Sequence, residues 1–213
     1  MKNRLLATIV MLVSALCLGG CAAGQQIRYH DTELDLGASG NATVAVTSQD
    51  NRNYIKNGEK ERNYVGNFRG GFGNPFNVST ESGKPLADDT SSVICAALKK
   101  KGFVCLPVSV EPNEPQTQVV DKLKATSANT LMLLTINEWL SSTFQNTGLS
   151  YDLVLTVMDS QGTRVVEKKI KGEDELGGSF WSPPGHAKEA VPVAFKRKLE
   201  LLLNDPAVTS VLK

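Results

Sequence analysis

The chain has 213 residues, with 23 basic and 22 acidic side chains and a formal net charge of +1. This balance argues against a nucleic-acid binder, which needs a strongly basic surface. The hydrophobic fraction of 41% and the length are enough for one domain with a substantial core.

The first segment has the pattern of an export signal. Residues 1–4 are a short basic head, and residues 5–18 are uncharged and mostly apolar. That run is shorter than the roughly 20 apolar residues of a membrane-spanning helix, and it has no polar face that would suit a buried helix of a cytosolic domain. We therefore predict that residues 1–20 are a signal peptide that is cleaved.

The apolar run ends in Leu18-Gly19-Gly20-Cys21, which resembles the bacterial lipobox. The resemblance implies that Cys21 becomes the first residue of the mature protein and carries diacylglycerol and further acyl groups such as palmitate. Two or more acyl chains hold a protein stably on a membrane. Ala22, rather than Asp, follows the cysteine and favours the outer membrane, with the domain facing the periplasm. The alternative is plain secretion, with an ordinary thiol at Cys21.

Cleavage after residue 20 would leave 193 residues with 21 basic and 22 acidic side chains, a net charge near −1. Besides Cys21, this mature chain would contain Cys95 and Cys105. In an oxidising compartment these two residues can form a disulfide that closes a short loop. Two buried free thiols are an equally good reading of the sequence.

The first predicted elements are a tether, a strand and a long loop. Residues 21–41 are expected to form the lipidated tether and an early strand, because polar and apolar residues alternate in HDTELDL, residues 30–36. The acids of this stretch and His30 could be read as a metal site, but a solvated strand face is the favoured interpretation. The sequence ATVAVTS (42–48) is typical of a strand, and residues 49–83 are a long polar, Gly-rich loop.

The next segment carries clear signals of a helix. Pro85 suits its first turn, and Asp88 and Asp89 favour its positive N-terminal end. The lysines at 99–101 suit the opposite end, and Gly102 can adopt the conformation that ends a helix. The remaining predicted elements are an apolar strand covered on both faces at 103–110, a helix at 114–128, a strand at 129–140, a hairpin at 149–172 and a final helix at 188–203.

This β-α-β-α-β-β-β-α order predicts an α/β (α+β) domain over residues 42–213, with a single mixed β-sheet and about three helices packed on it. Together with the lipobox, the VAV strand, the ALKKKGFVCLPV junction and the closing LLLNDPAVTSVL, the order resembles the YajG-type bacterial lipoproteins. It also resembles, more broadly, the TolB-N-terminal-like fold. The resemblance covers most of residues 18–213, with 51–77 as an insertion. It implies an envelope accessory or assembly factor, and it transfers no catalytic residues.

Two segments are candidate interaction sites. The first, residues 50–76, interleaves aromatic and basic side chains, and its candidate residues are Tyr54, Arg62, Tyr64, Phe68, Arg69, Phe72 and Phe76. Exposed aromatic rings beside arginines suit a protein or glycan interface. The favoured alternative is a β-hairpin whose rings pack back on the sheet. The second segment contains Trp181 before Pro183 and Pro184, and its ring either caps the core or forms a binding rim.

No catalytic or cofactor motif is complete. Gly71 and Gly73 begin a G-x-G pattern, but Phe76 occupies the third glycine position. The glycine-lysine pair at 83–84 is followed by Pro85, where a phosphate-binding loop needs Ser or Thr. The motifs G-x-S-x-G, H-E-x-x-H and C-x-x-C do not occur in residues 21–213. We expect no enzyme activity, no nucleotide, no nucleic acid, no metal and no cofactor besides the lipid on Cys21.

The favoured prediction is therefore a non-catalytic, lipid-anchored envelope lipoprotein. It would dock on a periplasmic or outer-membrane partner, or associate with itself. The alternative is a binding module for a glycan or lipid head group that uses residues 50–76. A hydrolase with an unrecognised site, for which His186 would be the first residue to test, is the third hypothesis.

Overall fold

The computed structural model describes residues 24–70 and 73–212, so the predicted signal peptide and Cys21 lie outside the described residues. The strands are β1 (Gln26–Ile27), β2 (Thr43–Asp50), β3 (Tyr64–Arg69), β4 (Pro75–Thr80), β5 (Val104–Pro107), β6 (Thr130–Thr143), β7 (Asn146–Asp159) and β8 (Arg164–Gly178). The helices are α1 (Asn53–Lys56), α2 (Leu86–Lys100), α3 (Gln116–Lys124), α4 (Pro183–Leu203) and α5 (Pro206–Val211). No helix in these ranges is long and apolar enough to cross a bilayer.

The eight strands form one mixed sheet, and β6 lies at its centre. One edge of β6 pairs with β7 in antiparallel orientation, and β7 pairs in the same way with β8. The other edge of β6 pairs in parallel first with β2 and then with β3. Strand β5 extends the sheet beside β2, while β4 and β1 extend it beside β3. The predicted α/β (α+β) class with a single mixed sheet is confirmed.

A buried ion pair closes the gap where β6 changes partner from β2 to β3. The guanidinium of Arg52, which has no exposed surface, donates to both carboxylate oxygens of Asp50 at 2.8 and 2.6 Å. Its Nη1 donates to the carbonyl oxygens of Tyr64 in β3 and Trp139 in β6, at 2.8 and 3.1 Å. Arg52 thus supplies the donors that a continuous strand would have given, and buried carbonyl groups need such partners.

The main core lies between one face of the sheet and helices α2 and α4. At its centre the rings of Tyr29, Trp139 and Phe195 pack edge to face with centroid distances of 4.9 to 6.3 Å. The indole Nε1 of Trp139 donates to the Tyr29 hydroxyl at 3.0 Å, so the polar atom of this buried ring is satisfied. A smaller core on the opposite face is formed under α3, through Val119 and Leu123.

Three of the described helices have seven or more residues, as predicted, and α2 begins and ends close to the expected positions. Gly102 follows α2 with a φ of +97°, the left-handed conformation expected of it. The final helix is longer than predicted because it begins at Pro183, whose ring suits the first helical position.

Three predicted segments differ in the structure. Residues 49–83, expected to be a loop, contain α1 and the β3–β4 hairpin. No strand forms at 30–36; the side chains do alternate between buried and exposed, but the neighbour is α4, whose Glu200 accepts a hydrogen bond from the Asp35 amide. Strand β5 covers only 104–107, and Val104 is half exposed because β5 is an edge strand that pairs with β2 alone.

Candidate functional site

The tyrosines of segment 50–76 face the protein interior. The Tyr54 hydroxyl donates to a carboxylate oxygen of Glu138 at 2.7 Å, and the rings of Tyr54 and Tyr64 meet edge to face at 5.6 Å. Tyr64 is buried, and burial raises the pKa of the Tyr54 phenol. Tyr64 is therefore not an exposed interaction residue, while Tyr54 is half-buried with its hydroxyl bound within the protein. Both rings pack against the protein, as in the favoured alternative of a β-hairpin.

The rest of segment 50–76 forms the β3–β4 hairpin. Phe68 and Phe76 stack across it with a centroid distance of 6.2 Å and are half-buried, while Phe72 lies outside the described residues. Arg69 is exposed at the end of β3, and Arg62 pairs with the exposed Glu111 at 3.0 Å. Lys60 lies over the Tyr64 ring, 4.7 Å from its centroid, and Arg52 lies 5.4 Å from the centroid of the Tyr54 ring. The basic side chains of this segment are thus divided between ring contacts, an ion pair and solvent.

The two glycines flanking the hairpin tip serve the turn. The amide of Gly73 donates to the carbonyl of Gly70 at 2.8 Å, and Gly73 has a φ of +79°. Positive φ is the conformation for which glycine is favoured in turns. The glycine-rich stretch is thus accounted for by a hairpin connection.

Cys95 and Cys105 are joined by a disulfide in the structure, with 5.3 Å between their Cα atoms. The bond links the middle of α2 to β5, and both residues are buried. Among the described residues β5 pairs with β2 alone, so the disulfide links this edge strand to the helix that packs on it.

A polar cavity of about 410 Å³ lies at the carboxyl ends of β2 and β5, whose outgoing chains pass to opposite faces of the sheet. Such a switch point is a frequent ligand site in parallel sheets. Here the amide of Gln49 donates to the carbonyls of Glu111 and Glu114, and that of Asn51 donates to Asn137. These amide donors are already used within the protein, so the cavity supplies no argument for a ligand.

A polar row crosses the face of the sheet that α3 leaves open. The Asn137 amide donates to the Asp152 carboxylate at 3.3 Å, and Lys169 and Lys171 approach the same carboxylate at 3.3 and 3.5 Å. Partial burial opposes ionisation of Asp152, but these three partners outweigh it and lower its pKa below the usual value. The row ties β6, β7 and β8 together.

The outer face of α4 forms a ridge between two open grooves. We define the α4 ridge as Glu189, Pro192, Val193 and Lys196. The first groove, of about 470 Å³, separates it from the segment at 26–33, and the second, of about 450 Å³, separates it from the end of β8. Glu189 and Val193 line both grooves.

Val193 is the exposed apolar centre of the α4 ridge. Its neighbours Val191 and Phe195 are buried in the core, whereas Val193 remains 68% exposed. Pro192 has no N–H to donate to the carbonyl of Lys188 one turn earlier, so that carbonyl lacks its usual helical partner beside the first groove. The ridge thus combines an apolar side chain with a backbone acceptor.

The groove walls carry charges of both signs. Arg28 donates to both carboxylate oxygens of Glu81, at 2.7 and 3.2 Å, and this hydrogen bonding lowers the pKa of Glu81. Within residues 24–70 and 73–212, no three His, Cys, Asp or Glu side chains come together to hold a metal ion, and His30 is exposed. A surface of mixed charge around an apolar centre suits contact with another protein.

The sequence indicated only part of these surfaces. Trp181 was a candidate, and the structure places it outward, 90% exposed, so it does not cap the core. Its neighbour Phe180 is 80% exposed and was not predicted, although the pair could have been noticed as adjacent rings before two prolines. Val193 was also missed; a helical projection would have shown it two residues from the buried Val191, outside the inner stripe.

No model of a protein family matches the chain, and no curated protein matches it. Solved structures do. Protein XCC0632 from Xanthomonas campestris, of the family-model DUF330, is 10% identical with a TM-score of 0.51, and the alignment covers 89% of this chain and 90% of that one.

Two further matches have lower scores. Lipoprotein GNA1162 from Neisseria meningitidis is 10% identical with a TM-score of 0.41, covering 74% of this chain and 99% of that one. The hypothetical protein CT253 from Chlamydia trachomatis is 12% identical with a TM-score of 0.44, covering 76% and 95%. Because these two TM-scores are below 0.5, the two matches add no support for the fold. The resemblance to the YajG-type lipoproteins stays a prediction. The chain therefore shares its fold with the Xanthomonas protein.

Proposed function

We propose that the chain is a non-catalytic, lipid-anchored envelope protein, an accessory or assembly factor that docks on a protein partner through the α4 ridge. The Leu18-Gly19-Gly20-Cys21 sequence supports the anchor, and Ala22 after the cysteine supports the outer membrane. The described body begins three residues after Cys21, so an acylated chain would hold it directly at the membrane surface.

The observation that carries the docking proposal is the exposure of Val193 between two grooves. An interface combines an apolar centre with a polar rim, and Val193 is surrounded by Glu189 and Lys196 on its own helix. The grooves are open, and their charged walls are paired with each other, as Arg28 is with Glu81. These features favour a broad protein contact over a small enclosed ligand.

The non-catalytic part of the proposal rests on what the polar side chains do. Asp50 and Arg52 form a buried ion pair, and the remaining donors of Arg52 bind strand carbonyls. Asp152 is held by an amide and two lysines. Both sets of groups stabilise the sheet, and neither presents a nucleophile or a free base to a cleft.

Site-specific photocrosslinking in intact cells tests the docking. A photoreactive residue replaces Val193 in the full chain, and the matched control carries it at Val165, which is 52% exposed at the start of β8. We expect a discrete crosslinked product from position 193 and none from position 165, with mass spectrometry separating another protein from a second copy. With the photoreactive residue moved to the neighbouring Lys196, Val193→Glu should lower the yield of the crosslinked product about tenfold, as for a central interface residue.

Two outcomes would overturn parts of the proposal separately. A product from position 165 but not from 193 would place the partner elsewhere. An intact mass showing that the cell-made protein has an unmodified amino terminus would remove the anchor and the location that follows from it.

A further inference from the structure

Three connections meet at one end of the sheet. Phe68 in β3 lies opposite Thr143, next to the β6–β7 turn. Gly178, the last residue of β8, lies opposite Asn146 on the other side of that turn. The β3–β4 turn, the β6–β7 turn and the loop at 179–182 are therefore neighbours. We call the exposed residues of this end the aromatic tip: Phe144, Phe180 and Trp181.

The rings of the aromatic tip are turned away from the core. Trp181 is 90% exposed, Phe180 80% and Phe144 50%, whereas the other tryptophan, Trp139, is 1% exposed. Phe180 and Trp181 contact each other edge to face at 5.3 Å. Helix α4 begins directly after the loop with Pro183, which limits the freedom of the chain there. Large aromatic side chains exposed together mark a surface that contacts something else.

The chain enters the domain at this same end. The side-chain amide of Gln25 donates to the carbonyl of Pro184, in the first turn of α4, at 2.7 Å. Strand β1 runs parallel to β4, with Gln26 opposite Ser79, so Gly24 lies on the side of the β3–β4 turn. Gly24 is the third residue after Cys21, and three Cα-to-Cα steps reach at most about 11 Å.

We propose that the aromatic tip sits in the lipid head-group region of the bilayer as a second membrane contact beside the anchor. This inference rests on the proposed acylation of Cys21. With the acyl chains in the bilayer, Gly24 is held within about 11 Å of Cys21, and the hydrogen bond from Gln25 to Pro184 keeps the start of α4 beside it. That spacing leaves little room for a protein between the tip and the lipid.

The chemistry of the tip fits this position. The Trp indole is largely apolar with one N–H donor, and such rings concentrate at the level of the head groups. The anchor keeps the tip at an effective concentration of about millimolar near the bilayer, so weak partitioning of each ring is enough for contact. The anchor and the aromatic tip together would restrict the tilt of the domain relative to the bilayer, whereas a single flexible tether would not.

The two tryptophans provide the test, because one is buried and one is exposed. Full-length acylated protein is reconstituted into vesicles of phosphatidylethanolamine and phosphatidylglycerol, with and without brominated acyl chains. We expect the brominated lipid to quench most of the Trp181 emission and to leave the emission of Trp139 intact. Trp181→Ala should show no quenching. The matched control, Trp181→Phe with Val165→Trp, moves the exposed indole about 40 Å along β8, and it should not be quenched.

The outcomes separate the two proposals. If the protein floats with the vesicles but Trp181 stays unquenched and open to acrylamide, the tip does not contact lipid and the anchor stands. If Trp181 is shielded in native membranes and not in pure lipid vesicles, its occupant is a protein and the inference is wrong. If the protein carries no lipid and does not float, the anchor and the inference fall together.

Discussion

The side chain of Arg52 supplies hydrogen-bond donors to backbone carbonyls at the point where neither β2 nor β3 pairs with β6. It bonds Asp50 through two nitrogens and caps the carbonyls of Tyr64 and Trp139 at the point where β6 changes partner. The sequence offered Arg52 only as one of several basic residues among aromatic ones. Its burial depends on β2 and β3 lining up along β6, which is a contact between distant segments.

We predict that Arg52→Met destabilises the protein by about 3–5 kcal/mol, because it leaves the buried Asp50 carboxylate without its cation and removes the guanidinium donors from two strand carbonyls. Urea unfolding followed by far-UV circular dichroism measures the change. Arg62→Met is the control: its partner Glu111 is largely exposed, so we expect a loss below about 1 kcal/mol. Equal losses for the two variants would mean that the buried pair contributes no more than the surface pair.

Asp152 makes the free energy of unfolding depend on pH in the acid range. Its folded-state pKa is lowered, so its contribution to stability is present above the unfolded-state pKa of about 3.9 and is lost as the pH falls through the lower folded value. We predict that Asp152→Asn costs about 1 kcal/mol at pH 7, through the lost attraction to Lys169 and Lys171. The difference from the natural protein should shrink below about pH 4. Urea unfolding at pH 7, 5 and 3 tests this, and a pH-independent difference would exclude charge as its cause.

Among the elements, α2 could be placed from the sequence almost residue by residue. Pro85, the aspartates at 88–89, the lysines at 99–101 and Gly102 are local signals, and the helix runs from Leu86 to Lys100. The sequence favours a β-hairpin within residues 50–76 but does not place its strands, because they are polar and Gly-rich and the turn lies within a longer irregular composition. What holds that hairpin in place is pairing with β6 and β1, which no local pattern reveals.

The disulfide joins two of the predicted elements, α2 and β5. Closing a loop of this length is worth about 2–3 kcal/mol in the chain-entropy model. We predict that Cys95→Ala with Cys105→Ala lowers the free energy of unfolding by that amount, measured by urea denaturation. The unsubstituted protein in dithiothreitol should move to the same midpoint, while the double variant should not respond to the reductant. A double variant as stable as the oxidised protein would contradict the prediction.

For the whole molecule, the fold class could be predicted from the sequence, but the aromatic tip and the α4 ridge could not. The single mixed sheet follows from the order of elements. Trp181 could be singled out as a candidate, but the sequence left its direction open. That Phe144 and Phe180 lie at the same end of the sheet depends on the registers of β6, β7 and β8, which are non-local. The exposure of the α4 ridge likewise depends on the segment at 26–33 and the end of β8, which lie on either side of the helix.

The two proposed contacts imply one orientation of the molecule. Helix α4 begins at the aromatic tip with Pro183, and Val193 follows ten residues later, which corresponds to about 15 Å along the helix. With the tip in the head-group region, Val193 would stand at most about 15 Å above the tip. A partner embedded in the same membrane could reach it with a short extramembrane segment.

Strand β8 is a 15-residue edge, and the side chains on its outer face alternate with those toward α4. The proposed lipid anchor would confine copies of the protein to a membrane surface in one orientation, so that their edge strands would meet more often than in free solution. An exposed edge strand of this length can form β-sheet hydrogen bonds with the same strand of a neighbouring copy. The charged outer row of β8 opposes this, and it consists of Glu167, Lys169, Lys171, Glu173 and Glu175. These charges disfavour pairing between the β8 strands of neighbouring copies.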